Sequence, residues 1–288
     1  MGNNFQYGGQ AVIEGVMMRG PNSMAIAVRK PDGEIVVETR PQQLLWKKHP
    51  VLGWPLIRGS VVLIDSLMIG MRGLNRSAIL AGEEEEQLTT AEVFWTGVIA
   101  AILAIALFVA FPTGVVHFTR DFIGGVWAQN LVEGILRILV FLAYVVAISH
   151  MQEIKRVFMY HGAEHKAVHT LEAGHQLSVE NARSQSTLHP RCGTSFLLIV
   201  MVLSILVFTG LGEGPLWWRV VSRVAVFPVV AGLGYELIKL TSRYANQGWA
   251  KCLMAPGLWL QKLTTGEPDE AQMEVALRAL QAVVPTNS

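Results

Sequence analysis

Four of the chain's eight histidines and two carboxylates fall within fifteen residues, from His161-Gly-Ala-Glu164-His165-Lys-Ala-Val-His169 through Glu172 to His175. The first five positions read H-x-x-E-H, the inverted zinc-protease pattern. Histidines at i and i+4 of a helix face the same way and can share one metal ion, and a neighbouring glutamate can polarise a water on it. At about 100° per residue, His165 lies roughly 40° from His161, His169 roughly 80° and Glu172 roughly 20°, with Glu164 and His175 roughly 40–60° to the other side. Ala163, Ala167 and Thr170 take the opposite face. A helix here gathers its titratable groups into one stripe. The spacing predicts a divalent metal, zinc by donor type, held by His161 and His165. His169, Glu236 or Cys192 would be the third ligand, and Glu164 the general base. The competing reading is a hydrogen-bonded or solvated face, the usual fate of Glu/Lys/His stripes.

A second constellation is His189-Pro-Arg-Cys192-Gly-Thr-Ser195, just before an apolar run. His189 and Cys192 have zinc-ligand chemistry, and a thiol at a helix N-terminus beside Arg191 is a candidate catalytic nucleophile. The plainer alternative is a capping turn, with Pro190 and Gly193 as punctuation and Thr194 or Ser195 as the cap.

These groups sit in an apolar chain. Of 288 residues 51% are hydrophobic and 16% charged, and the mean hydropathy is +0.39. Soluble domains carry roughly 25% charged residues. The net charge of +1 and the absence of a basic stripe argue against nucleic acid as a partner. Two cysteines, Cys192 and Cys252, make no disulfide framework. The first residues, MGNNFQYGGQ, lack the pattern of a cleaved signal peptide.

The expected architecture is mainly α, a polytopic membrane bundle of about four spans plus an amphipathic helix, with a small N-terminal β-hairpin unit. Four domains follow. Residues 1–45 form a cytoplasmic β-rich segment, in which Lys30-Pro-Asp-Gly33 turns a hairpin between Met24-Ala-Ile-Ala-Val-Arg and Glu34-Ile-Val-Val-Glu-Thr. Residues 46–90 hold an interfacial helix, in which Arg58, Asp65 and Arg72 recur on one face, and an acidic run, Glu83–Glu86. Residues 91–250 are the bundle, with a cytoplasmic histidine-rich segment at 151–193. Residues 251–288 are a cytoplasmic amphipathic tail, with Asp269 as N-cap and Met273, Ala276, Leu277, Leu280 and Val284 at helical spacing.

The four candidate spans are Val93–Phe111, Val132–Ile148, Thr194–Leu211 and Val220–Leu240. Charges inside a span cost roughly 2.5–3.5 kcal/mol each at its centre, so they pair, snorkel or line a site. Arg137 and Arg223 are expected to snorkel. Gly232 and Gly234 permit a close helix approach near Glu236. Lys155, Arg156, Lys166, Arg183 and Arg191 lie between the second and third spans, whereas the opposite connections hold only Arg120 and Arg219. By the positive-inside rule both termini and the histidine segment face the cytoplasm.

Tyr7-Gly-Gly-Gln-Ala-Val-Ile-Glu-Gly-Val-Met-Met-Arg-Gly-Pro21, Arg58-Gly59, the segment from Tyr160 to His169, His189-Pro-Arg-Cys-Gly-Thr-Ser-Phe196 and Tyr235-Glu236 follow one another in the chain. Together they resemble the YqhQ family of bacterial membrane proteins. The resemblance covers nearly the whole chain. It implies a multi-pass protein of the bacterial inner membrane and a metal-dependent enzyme, and it carries over no catalytic assignment.

The functional expectation is a membrane metal-dependent hydrolase acting on an unidentified substrate or protein partner at the cytoplasmic face. Glu14 and Arg19, in the glycine-rich segment, would close over the site. One alternative is a membrane scaffold with a structural metal. Another is a homo-oligomeric transporter using Glu236, Arg137 and Arg223.

Overall fold

The computed structural model describes residues 7–42, 50–82, 89–211 and 214–285. The acidic run Glu83–Glu86 and the expected boundary at 45/46 lie outside the described residues.

The N-terminal unit is a four-stranded antiparallel sheet in the order β1 (Gly8–Val12), β2 (Gly15–Arg19), β3 (Ser23–Arg29), β4 (Ile35–Pro41). The β3–β4 hairpin is the one expected from Pro-Asp-Gly, with Gly33 at φ 88°. Two further strands precede it, and Glu14 in their tight turn has φ 47°. Strand alternation sends Val16, Met18, Ala25 and Ala27 to one face and Val12, Met17, Ile26 and Val28 to the other.

Both sheet faces are covered. Helix α1 (Ile57–Leu80) lies against the second face through Ile69 and Leu80. The first face packs on two later helices through Tyr160, Ala163, Ala167, Met273, Ala276 and Leu280. The residues Arg58 and Asp65 of the α1 heptad face meet Glu236 and Arg19.

The bundle follows. Helix α2 (Thr90–Ile105) enters a π turn (Ala106–Ala110) and continues as α3 (Phe111–Ile123), so Phe94–Ile123 is a continuous apolar rod of 30 residues. Helix α4 (Val126–Ser149) returns, and α5 (Gln152–Glu172) carries the histidines. A short α6 (Val179–Arg183) leads to α7 (Gly193–Thr209), α8 (Leu216–Arg243), α9 (Gly248–Thr264) and α10 (Glu270–Gln281). Among the described residues three helices are long and apolar enough to cross a membrane: Phe94–Ile123, Val126–Ser149 and Leu216–Arg243. The remaining expected span is α7, a shorter apolar helix of 17 residues. Asp269 caps α10 with a capping box. The expected boundary at 250/251 falls inside α9, which packs on α7 where Gly257 meets Ser195.

Arg137 and Arg223 do not snorkel. They are 6% and 1% exposed and both pair with Glu133, at 2.8 Å and 2.6 Å. Thr113 Oγ1 also donates to Glu133, Arg137 donates to Ser204 Oγ, and Arg223 donates to Asn130 Oδ1. Pro112 has no N–H for the Phe108 carbonyl four residues earlier, and Arg137 Nε donates to that carbonyl at 2.8 Å instead. Phe208 covers both guanidinium groups. A charge in an apolar bundle is tolerated where a partner reaches it, and here a carboxylate one turn away on α4 does so.

Candidate metal centre

Helix α5 runs until Ala173 and stops at Gly174, whose φ of 71° supplies the left-handed C-terminal stop. Its small face lets the C-terminal segment press on it. A Cβ on Gly162 would come within 2.0 Å of the Gly266 carbonyl oxygen. That approach brings the end of α9 to His161, whose Nδ1 donates to the Thr264 carbonyl at 2.9 Å. His165 Nδ1 donates to the Thr187 carbonyl in the loop before α7. A carbonyl only accepts, so both rings donate from Nδ1, and the neutral form of each ring keeps its lone pair on Nε2.

One of these nitrogens meets Cys192. His161 Nε2 lies 3.2 Å from Sγ, and the ligand atoms of His161, His165 and Cys192 all lie within 4.8 Å of one another. Cys192, rather than Thr194 or Ser195, is the N-cap of α7. Its sulfur accepts from Thr194 N at 3.4 Å and contacts Thr194 Oγ1 at 3.0 Å. Two imidazole nitrogens and a sulfur at a positive helix end form a donor set that can hold a metal ion. Metal-ligating histidines characteristically donate their other N–H to a backbone carbonyl or carboxylate, and both rings do so here.

Glu164 stands beside this trio without joining it. Its Oε1 accepts from Gly9 N of β1 at 2.7 Å, and its Oε2 lies 3.5 Å from His165 Nε2. The carboxylate, both histidines and Cys192 line one cavity of about 670 Å³. Strand β1 and residues Val62, Asp65 and Ser66 of α1 form the facing walls.

A family model described as "Protein of unknown function (DUF1385)" matches residues 54–286. The chain belongs to this family. It is also 36% identical to the "Uncharacterized protein YqhQ" of Bacillus subtilis (strain 168) over 287 residues, covering 95% of this chain and 90% of that protein. No solved structure matches. The relationship expected from the motifs therefore holds at the level of the family.

The other candidate residues divide into near and far. His169, Glu172 and His189 form a second group whose ligand atoms also lie within 4.8 Å. Their own bonds largely satisfy them. His169 Nε2 donates to the Leu188 carbonyl, His189 Nδ1 accepts from Arg191 N, and Glu172 holds both His189 Nε2, at 3.4 Å, and the Arg191 guanidinium. Burial pushes the His169 and His189 imidazoles below the usual histidine range, which keeps them neutral; Glu164 partly opposes this at His189. His175 lies in the turn beyond α5.

Glu236 is not with the trio. Arg58 of α1 holds both its oxygens, and the helices touch because a Cβ on Gly59 would lie 2.8 Å from Gly232 Cα. It is also remote from Arg223, 13 residues earlier on α8, or about 20 Å along the axis. Glu14 and Arg19 do not close over the site together. The register pairs Gly8 with Arg19 and Val12 with Gly15, which sends the two to opposite ends of the β1–β2 hairpin. Arg19 lines the cavity and pairs with Asp65, while Glu14 pairs with Arg156 and accepts from Tyr160. Gln261 escaped the sequence reading. Fully buried on α9, it accepts from His189 N and donates to the His189 carbonyl and to Ser195 Oγ, each at 2.8 Å. A lone glutamine in an apolar helix was its only signal.

Proposed function

We propose that this chain is a multi-pass protein of the bacterial inner membrane whose cytoplasm-facing centre holds a divalent metal, zinc by its donors, and hydrolyses an amide or ester bond. The observation that carries the reading is the paired tautomer lock. Thr264 and Thr187 accept from Nδ1 of both histidines, which reserves Nε2 of each neutral ring as a donor atom, with His161 Nε2 3.2 Å from Sγ of Cys192. Three protein donors with a fourth position open to a cavity is the pattern of catalytic rather than structural zinc. Zinc bound there would supply Lewis acidity and a more acidic water. Glu164 then has a division of labour: Oε1 is anchored by Gly9, and Oε2 is free to take and return a proton.

Membrane residence is supported by the three long apolar helices and by exposed side chains such as Phe118, Phe122 and Trp127. With α7 taken as a fourth, short crossing, the lysine and arginine bias of residues 151–193 supports a cytoplasmic centre and cytoplasmic termini.

Elemental analysis of detergent-purified protein tests the centre. Wild type is expected to hold about one zinc per chain, and the His161→Ala/His165→Ala double variant none. A zinc-free wild type, even after zinc is supplied, would sink the reading. Glu164→Gln should keep its zinc and lose roughly 10²–10⁴-fold in rate on any substrate found.

A further inference from the structure

The cavity that holds the histidine–cysteine trio is also walled by the edge of a β-sheet. Strand β1 is first in the order β1-β2-β3-β4, so one side of it has no strand neighbour. The direction of that side is fixed by two bonds. Gly9 N donates to Glu164 at 2.7 Å and Ile13 N donates to Ser77 Oγ at 3.0 Å, so the N–H groups of residues 9 and 13 point away from β2. Antiparallel alternation then puts the N–H and C=O of Ala11, and the C=O of Gly9, on the same outer edge. Among the described residues no hydrogen bond reaches these three groups.

Exposed edges are usually blunted by charge, proline or a bulge. The stretch Gly8-Gly-Gln-Ala11 has none of these; α5 and α1 pack beside β1, with Glu164 and Ser77 on its edge, and the stretch between those two contacts lines the cavity. A Cβ on Gly8 would meet nothing within 4 Å. Glu164 links this edge to the metal centre, with one oxygen on Gly9 N and the other 3.5 Å from His165 Nε2.

We infer that the substrate of this centre is a polypeptide segment, bound in extended form as an added strand along the free edge of β1; this rests on the hydrolase reading of the same site. The unused Ala11 N–H donates to a peptide carbonyl, and the Gly9 and Ala11 carbonyls accept peptide N–H groups. Glu164 ends the usable edge on one side and Ser77 on the other, so the added strand is short. Its register is set next to the trio, where an extended backbone presents an amide. In the reaction, water oxygen adds to the amide carbon and the C–N bond breaks. Glu164 passes the proton lost by water to the departing amine.

The test uses the full-length, zinc-supplied protein in detergent. Short fluorescein-labelled peptides of mixed sequence are compared with their fully N-methylated counterparts by fluorescence polarisation, on wild type and on Ala11→Pro. Proline removes the outward N–H at an edge position without touching the ladder to β2. The expected result is binding of the unmethylated peptides only, weakened about tenfold or more in Ala11→Pro, with zinc content and thermal midpoint unchanged. The N-methyl comparison needs no variant and stands if Ala11→Pro fails to fold. Equal binding of both peptide sets, or of neither, overturns the inference. Hydrolysis of phospholipid or simple esters by zinc-loaded protein that binds no peptide overturns it while leaving the hydrolase reading intact. Edge-dependent peptide binding by protein that holds no zinc upholds the added strand and removes the hydrolase.

Discussion

At the histidine centre three donor atoms converge, and backbone carbonyls hold the two imidazole rings there. Inside the bundle the opposite holds: the Glu133 carboxylate is wrapped by Arg137, Arg223 and Thr113. Both assemblies are buried and polar, yet one is completed by the chain and the other, in the function proposed above, receives a cation. A self-completed cluster fails when a member is lost, because a charge is stranded. A receiving site tolerates the loss of a member and fails at its ligand.

Glu133→Leu should break the bundle cluster with the largest effect, about 3–5 kcal/mol, since it strands two buried guanidinium groups. The measurement is thermal or denaturant unfolding in detergent. A loss below about 1 kcal/mol would erase the contrast between the regions. Zinc gives the next effect. At about 100 times its dissociation constant it should stabilise wild type by about 2.7 kcal/mol and the His161→Ala/His165→Ala protein not at all, read as a thermal shift.

The third prediction concerns pH. His169 and His189 have folded-state values held below the ordinary 6.5 by burial, so the unfolded chain binds protons first as pH falls. Their contribution is complete above 6.5 and is lost below it, towards the folded values. Zinc-free protein should therefore lose stability between neutral and mildly acid pH, and His189→Gln should flatten the curve. Neither histidine belongs to the bundle cluster, and the Glu133→Leu protein should keep the slope. The smallest effect belongs to Glu38→Gln. The Arg76–Glu38 pair lowers the Glu38 carboxyl, so its contribution is present at neutral pH and lost in acid. At a half-exposed site it should be worth only about 0.2–1 kcal/mol by equilibrium unfolding.

What could be read from the sequence follows the same division. The histidine stripe was visible because helical periodicity gathers side chains on one face, and Cys192 because it precedes an apolar run. The locks on those histidines were invisible. Thr264 and Thr187 act through carbonyls, which every residue has, and only the fold brings them to α5. Strands β1 and β2 were missed because Gly8, Gly9, Gly15 and Gly20 dilute the β-branched signal that revealed β3 and β4. Glu236 stands among three alternative third ligands in the sequence because its 71 residues of separation from His165 say nothing about distance. The signal for its real partner was Arg58 beside Gly59, facing Gly232, where close helix packing could be expected. Arg137 was read as snorkelling because the carbonyl freed by Pro112 is a property of the neighbouring helix.

The π turn at Ala106–Ala110 is in effect one extra residue threaded into a helix. It sets the angular phase between Phe94–Ile105 and Phe111–Ile123, two halves that would otherwise share a single register. Deleting one residue there would rotate the first half by about 100° and turn a different set of its side chains, Ile99, Ile102 and Leu103 among them, toward the surroundings. The second half, fixed by Thr113 on Glu133, would stay where it is. The rod is thus two separately indexed surfaces, the first meeting Met71 of α1 at Gly97 and the second held by the buried charges.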